Sequence, residues 1–239
     1  MCHPINKFSI NQSGSGSFGK IHKLVSAINE IKMASYESYI LILEMFTDCP
    51  TDELFSSTGI QRLRLVFDYN ARLQLEKASL ISLIRTVLSD PSGSAQGELF
   101  EWITEQYGGQ YALTKYGSSS FSMYRKAMFW DEICNEAVDI EPERGSRNLD
   151  LVITDQGENI ILGMEVKTSV QNFLTDKPRP SVTNKLKYMQ LLAEALQSFQ
   201  VAIYLVSARS FINDHARKQL NALGAPTVRI ETIRALLAS

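Results

Sequence analysis

Two carboxylates and a lysine lie within eighteen residues of one another in a pattern suited to phosphoryl chemistry: Asp150 in Asn148-Leu-Asp-Leu-Val-Ile-Thr154, and Glu165 and Lys167 in Ile161-Leu-Gly-Met-Glu-Val-Lys-Thr168. Successive strand side chains point to opposite faces, so Glu165 and Lys167 share one face while Leu162, Met164 and Val166 share the other. A turn over residues 155–159 would fold the two segments into an antiparallel hairpin and set Asp150 opposite residues 164 to 166. Carboxylates held that close repel unless a cation stands between them. A hard divalent ion such as Mg2+ takes oxygen ligands of this kind and keeps several waters. Such an ion acidifies a bound water and offsets charge developing on a phosphate. The lysine two residues on can orient that water or stabilise the pentavalent phosphorus.

The elements that must position these groups read as α/β. Residues 1 to about 19, with the Gly/Ser-rich Gln12–Phe18, read as a flexible N-terminus. From 20 to 90 apolar residues recur at helical spacing (Ile21, Leu24, Val25, Ile28; Ile40, Leu43, Phe46), which predicts a helical accessory region interrupted at Cys49-Pro50. Asp90-Pro-Ser-Gly-Ser94 marks a joint. Beyond it, 91–239 forms the expected core. A helix over 96–107 is stopped by Gly108-Gly109, and a loop-like region runs to about Trp130. Strands follow over 149–154 and 160–168, then a helix over 184–199 and a strand over 201–207. A helix over 213–223 ended by Gly224, a strand over 227–230 and a final helix complete the chain.

The stretch Asp150…Glu165-Val-Lys167 in this context resembles the PD-(D/E)xK nuclease superfamily, which includes many type II restriction endonucleases. The resemblance covers about 96 to 207. Leu149 stands where that family often has proline. The resemblance implies a restriction-endonuclease-like core, in the order helix, three-stranded meander, helix, strand, with the N-terminal helices as an extension. It also implies a Mg2+-dependent endodeoxyribonuclease, Mn2+ able to substitute. Asp150, Glu165, the Val166 backbone carbonyl and an acidic residue of the first core helix would hold the ion, and Lys167 would serve catalysis. For the helix residue, Glu98 is preferred to Glu101 because it lies nearer the positive end of the helix dipole. Double-stranded DNA is the implied partner, for a cytoplasmic homodimer. Arg144, Arg147, Lys177, Arg179, Lys185 and Lys187 flank the motif and are candidates for phosphate contacts. Arg62, Arg64, Arg72 and Arg85 could do the same from the N-terminal helices. Repair, mobile-element and defence nucleases, and a catalytically silent DNA-binding module, remain alternatives.

Bulk properties agree with a globular chain of 239 residues, 44% hydrophobic and 21% charged. A net charge of -2 means that any nucleic acid must be held by a local basic surface. Cys2, Cys49 and Cys134 are widely spaced, which argues against a disulfide framework or structural zinc. No run approaches the ~20 apolar residues of a membrane span. Gly14-Ser-Gly-Ser-Phe-Gly19 fits G-x-G-x-x-G, yet no strand precedes it and it reads as linker. His3, His22 and His215 lack ligand spacing, and Trp102 and Trp130 read as core.

Overall fold

The computed structural model describes residues 5–12, 18–48, 77–117, 120–138, 148–155, 157, 159–167, 169–207 and 212–238. The expected accessory-region arginines Arg62, Arg64 and Arg72, and the phosphate-contact candidates Arg144 and Arg147, lie outside the described residues.

The architecture is mixed α/β. Strands β1 (Phe8–Gln12), β2 (Phe121–Asp131), β3 (Glu136–Ala137), β4 (Leu149–Asp155), β5 (Ile160–Lys167), β6 (Gln200–Ser207) and β7 (Arg229–Thr232) form one seven-stranded sheet. Its order is β1-β2-β4-β5-β6-β7, with β3 paired to β2. The β1-β2, β2-β4 and β4-β5 pairs are antiparallel, and β6 and β7 join parallel to β5. The central strands β4 and β5 are apolar on both faces and almost wholly buried, as expected of strands covered on both sides.

Helices α1 (His22–Ala34), α2 (Tyr36–Asp48), α3 (Lys77–Leu88), α4 (Ser94–Tyr116) and α8 (Ile233–Ala238) pack their apolar residues into one core layer with Leu151, Ile153, Leu162, Met164 and Val166 of the sheet. The opposite layer holds α5 (Val170–Phe173), α6 (Pro180–Ala195) and α7 (Asp214–Ala222) against Leu149, Val152, Ile161, Ile203 and Leu205. The described part of 20 to 90 therefore shares a core with the sheet. Caps fix the helix starts. Asp90 Oδ2 accepts from Ala95 N at 2.8 Å below α4, and Asn213 Oδ1 accepts from Ala216 N at 2.8 Å below α7. Pro180 occupies the first turn of α6, where its missing N–H costs nothing. Gly224, with φ +80°, follows α7 as a left-handed stop.

Three expectations are corrected here. Residues 8–12, expected within the flexible N-terminus, form the edge strand β1. Residues 121–131, read as part of a loop, form the eleven-residue β2. The helix expected to stop at Gly108-Gly109 continues to Tyr116. Gly108 is not a stop but a contact: a Cβ there would sit 2.6 Å from Ile153 Cδ1, so the missing side chain lets α4 lie close on β4 and β5. Gly108→Val should therefore destabilise the fold by about 1–3 kcal/mol, the cost of overpacking a filled core. Urea unfolding checks this, and an unchanged midpoint would refute the close-approach account.

Candidate active site

Asp150 lies one position beyond the Leu151↔Met164 pair, alongside Glu165 on the neighbouring strand. On its other side, Lys126 of β2 falls between the Arg125↔Leu151 and Ala127↔Leu149 pairs. Lys126, Asp150 and Glu165 thus form a row across three adjacent strands. Strand alternation slips at this row. Tyr124 and Ala127, three apart, pack into the same layer, and so do Leu149 and Val152. The slip on β2 is carried by Lys126 itself, whose φ of +47° is left-handed and costs a residue with a Cβ roughly 1–3 kcal/mol. The row lies where β5 and β6 end, at Lys167↔Ser207, which is the end of a parallel arrangement where α/β proteins commonly place sites.

Three lysines interleave with the carboxylates. Lys126 Nζ donates to Asp150 Oδ1 at 2.6 Å and to Glu101 Oε1 at 2.8 Å. Lys167 Nζ lies 2.5 Å from Glu165 Oε1, 3.1 Å from the Val166 carbonyl and 3.7 Å from Asp150 Oδ2. A single ammonium therefore touches both carboxylates of the hairpin. Asp150 Oδ2 also accepts from Val166 N at 2.8 Å. Lys185 of α6, only 5% exposed, stands 3.1 Å from Glu165 Oε2 but directs its hydrogen bond to the Asn148 carbonyl at 2.5 Å. Glu165 Oε2 is left buried without a hydrogen bond.

Burial alone would push the Asp150 carboxyl up. The charges of Lys167 and Lys126, with hydrogen bonds from Lys126 and Val166 N, outweigh it and hold Asp150 below the usual carboxylate range. Lys126 and Lys167 are raised for the converse reason: burial opposes their charge, but the facing carboxylates overcome it. Glu101 goes the other way, pushed up to about 7 by burial and by the Asp150 charge, against the pull of Lys126. An acid raised on folding stabilises the folded state below its unfolded pKa and loses that contribution as pH rises through its folded one. The metal-free protein should lose stability between pH 4.5 and about 7, with Glu101→Gln flattening that slope. At ~1.4 kcal/mol per unit the loss is at most about 3.5 kcal/mol, reduced by partial exposure. Urea midpoints across this pH range check it, and parallel profiles for the two proteins would refute it.

The structure thus brings together Asp150, Glu165, Lys167 and the Val166 carbonyl. It does not bring Glu98 to them. Glu98 Oε2 accepts from Lys20 N at 2.9 Å, and Glu101, one turn along α4, is the helix carboxylate nearest the row. Lys185, expected as a phosphate contact, is instead buried within the cluster. Lys177, Arg179 and Lys187 are exposed after β5 and on α6. Arg125, in the stretch expected to be loop, is paired with Glu105 and stacked 3.8 Å over the Phe18 ring. Lys126 was missed as a site residue because only the long-range pairing of β2 with β4 reveals its neighbours.

The donor set is all oxygen, as a hard divalent ion requires, and Glu165 Oε2 is a buried acceptor without a hydrogen bond, with the Lys185 ammonium 3.1 Å away. Yet among the described residues no three His, Cys, Asp or Glu side chains are grouped ready for a metal. The Lys126 ammonium stands between Glu101 and Asp150, and the Lys167 ammonium between Glu165 and Asp150. The carboxylate oxygens are of the kind such an ion takes.

No family model matches the chain, and no curated protein matches it. Among solved structures the chain is similar to the protein VC1899 from Vibrio cholerae, at 11% identity and a TM-score of 0.42, over 97% of this chain and 56% of that one. It is also similar to a repair endonuclease from Pyrococcus abyssi, at 17% identity and a TM-score of 0.27, over 54% of this chain and 46% of that one. The chain spans about half the length of these structures, and likenesses of this strength transfer no function. No helix among the described residues is long and apolar enough to cross a membrane.

Proposed function

We propose that the chain is a metal-dependent endonuclease that hydrolyses phosphodiester bonds of double-stranded DNA. The observation that carries this reading is the contact of one ammonium, Lys167 Nζ, with both Glu165 and Asp150 at the end of an antiparallel meander. The order α4, meander β2-β4-β5, α6, β6 supports it. Asp150, Glu165, Glu101 and the Val166 carbonyl would hold Mg2+ or Mn2+, which when bound acidifies water and offsets charge on the phosphate. Asp150 is kept ionised by its lysine neighbours and its Val166 N–H bond. Glu165 orients Lys167, whose ammonium then faces the position of the scissile phosphate and stabilises its added negative charge. Exposed Lys177, Arg179 and Lys187 would hold the flanking backbone. Within this class a type II restriction endonuclease, acting as a homodimer, is the particular assignment we favour.

A second reading has one specific observation in its favour. Three carboxylates face three lysines, so the cluster is electrically balanced without any ion, as a catalytically silent DNA-binding module would be. Plasmid DNA with Mg2+, and with EDTA as control, separates the two. Discrete fragments would support restriction-type cleavage, a smear another nuclease role, and intact plasmid at every metal concentration would sink the nuclease reading. In the same assay Glu101→Gln should lower cleavage on the order of 10–100-fold, as expected for a lost metal contact, and Glu98→Gln should cut normally. The reverse result would exchange their roles.

A further inference from the structure

The cation that this site holds without metal is part of the chain itself, and its backbone shows how it is kept there. Lys126 Nζ bridges Glu101 Oε1 and Asp150 Oδ1 at 2.8 and 2.6 Å, the two carboxylates that come from different layers, α4 and β4. A small ion would have to stand in the same gap to touch both. The lysine stands in the gap with residue 126 at φ +47°, at the point where β2 and β4 both slip their alternation. A residue with a Cβ persists in that conformation when its surroundings over-determine it. The tether is reversible in principle: the Lys126 side chain is 42% exposed, against 8% for Asp150 and 6% for Lys185, so its stem already borders solvent. Lys167 differs, because its partners lie on its own strand and the next and it carries the proposed chemistry.

We propose that the Lys126 ammonium is a tethered stand-in for the divalent cation, closing the site in the metal-free protein and withdrawing when an ion enters between Glu101 and Asp150. The proposal rests on the reading of this cluster as a metal site. Metal affinity is then set by a competition inside the chain. The ion must displace an ammonium from two charge-assisted hydrogen bonds, and it binds more weakly than the bare carboxylates would allow. The displaced lysine stays beside the site, where substrate phosphate can take it up. Ion and DNA would therefore load together more readily than the ion alone.

Mn2+ binding, measured without DNA by calorimetry and by electron paramagnetic resonance, tests this on the full chain. Lys126→Asn removes the ammonium and suits left-handed backbone. Lys126→Gly does the same without supplying any new ligand, and stands in if the first variant melts early in EDTA. Lys126→Arg keeps the charge. Both neutral variants should bind Mn2+ on the order of tenfold or more tightly than the wild type, while Lys126→Arg stays near it. Unchanged or weaker Mn2+ affinity in the neutral variants, equal tightening in Lys126→Arg, or no Mn2+ binding by any of the proteins would overturn the proposal. Cleavage by the wild type is scored separately. Tightened Mn2+ binding without any DNA cleavage would sink the nuclease reading and leave the stand-in role intact. Cleavage with unchanged Mn2+ affinity would do the reverse.

Discussion

Lys167→Ala should lower DNA cleavage on the order of 10³-fold, the scale on which a preorganised charge-stabilising group is missed, while the protein remains folded. Both halves of that expectation come from the contacts. The ammonium lies 2.5 Å from Glu165 and 3.7 Å from Asp150, beside the carboxylates that would hold the ion, so it would face the charge developing on a phosphate bound to that ion. Removing it leaves each acid a neighbouring cation, although Glu165 loses the hydrogen bond to its Oε1. Asp150 keeps Lys126 and the Val166 N–H, and Glu165 keeps Lys185 within 3.1 Å. The stability cost is therefore that of a replaceable partner rather than of an orphaned buried charge. Lys167→Arg should not rescue activity, because a planar fork cannot occupy the position of a compact ammonium between two carboxylates. Single-turnover cleavage at saturating Mg2+, beside urea unfolding of the same variants, reads both quantities. Wild-type cleavage by Lys167→Ala would show that the chemistry lies elsewhere, and loss of folding would make the lysine structural.

How far this site was legible follows from where each partner comes from. Asp150, Glu165 and Lys167 sit on one hairpin, and a two-residue period with a tight turn is enough to bring them together. Gly224 and Asn213 were legible as the ends of α7 because caps act locally. Lys126 was not. Its role depends on β2 pairing with β4, more than twenty residues away, and on a slip in alternation that erases the usual strand pattern. The different surroundings of Glu98 and Glu101 were hidden for a related reason. A dipole argument favoured the earlier residue, but the Lys20 N–H from the chain preceding α1 takes Glu98. Gly108 misled because a glycine that stops a helix and one that lets it approach a sheet look alike in sequence. Lys185 misled because a lysine in a basic run reads as solvated, and only the tertiary fold turns it inward.

Lys185→Met should cost the metal-free protein about 3 kcal/mol, the lower end of what breaking a buried ion pair costs, whereas Lys187→Met should cost almost nothing. The two residues are neighbours on α6 and would be equivalent if both contacted DNA phosphates. Lys185 is 5% exposed, with its ammonium 2.5 Å from the Asn148 carbonyl and 3.1 Å from Glu165 Oε2. Methionine keeps the volume but removes the ammonium that stands 3.1 Å from an oxygen already lacking a hydrogen bond. Lys167 remains on the other oxygen of Glu165 and limits the loss, which places the estimate at the low end. The Asn148 carbonyl also loses the Lys185 hydrogen bond at the entrance to β4, immediately before Asp150, so the loss should loosen the strand that carries the proposed metal ligand. Saturating Mn2+ should recover part of the stability, since an ion supplies the missing positive charge to Glu165. For Lys187→Met the effect belongs in binding: a smaller dependence of DNA affinity on salt, by about one counterion, with the unfolding midpoint unmoved. Urea unfolding in EDTA and in Mn2+, with DNA affinity titrated against salt, separates the cases. If Lys185→Met unfolds as the wild type does and instead loses one unit of salt slope, Lys185 is a phosphate contact and its buried pairing with Glu165 is not what holds this corner of the site.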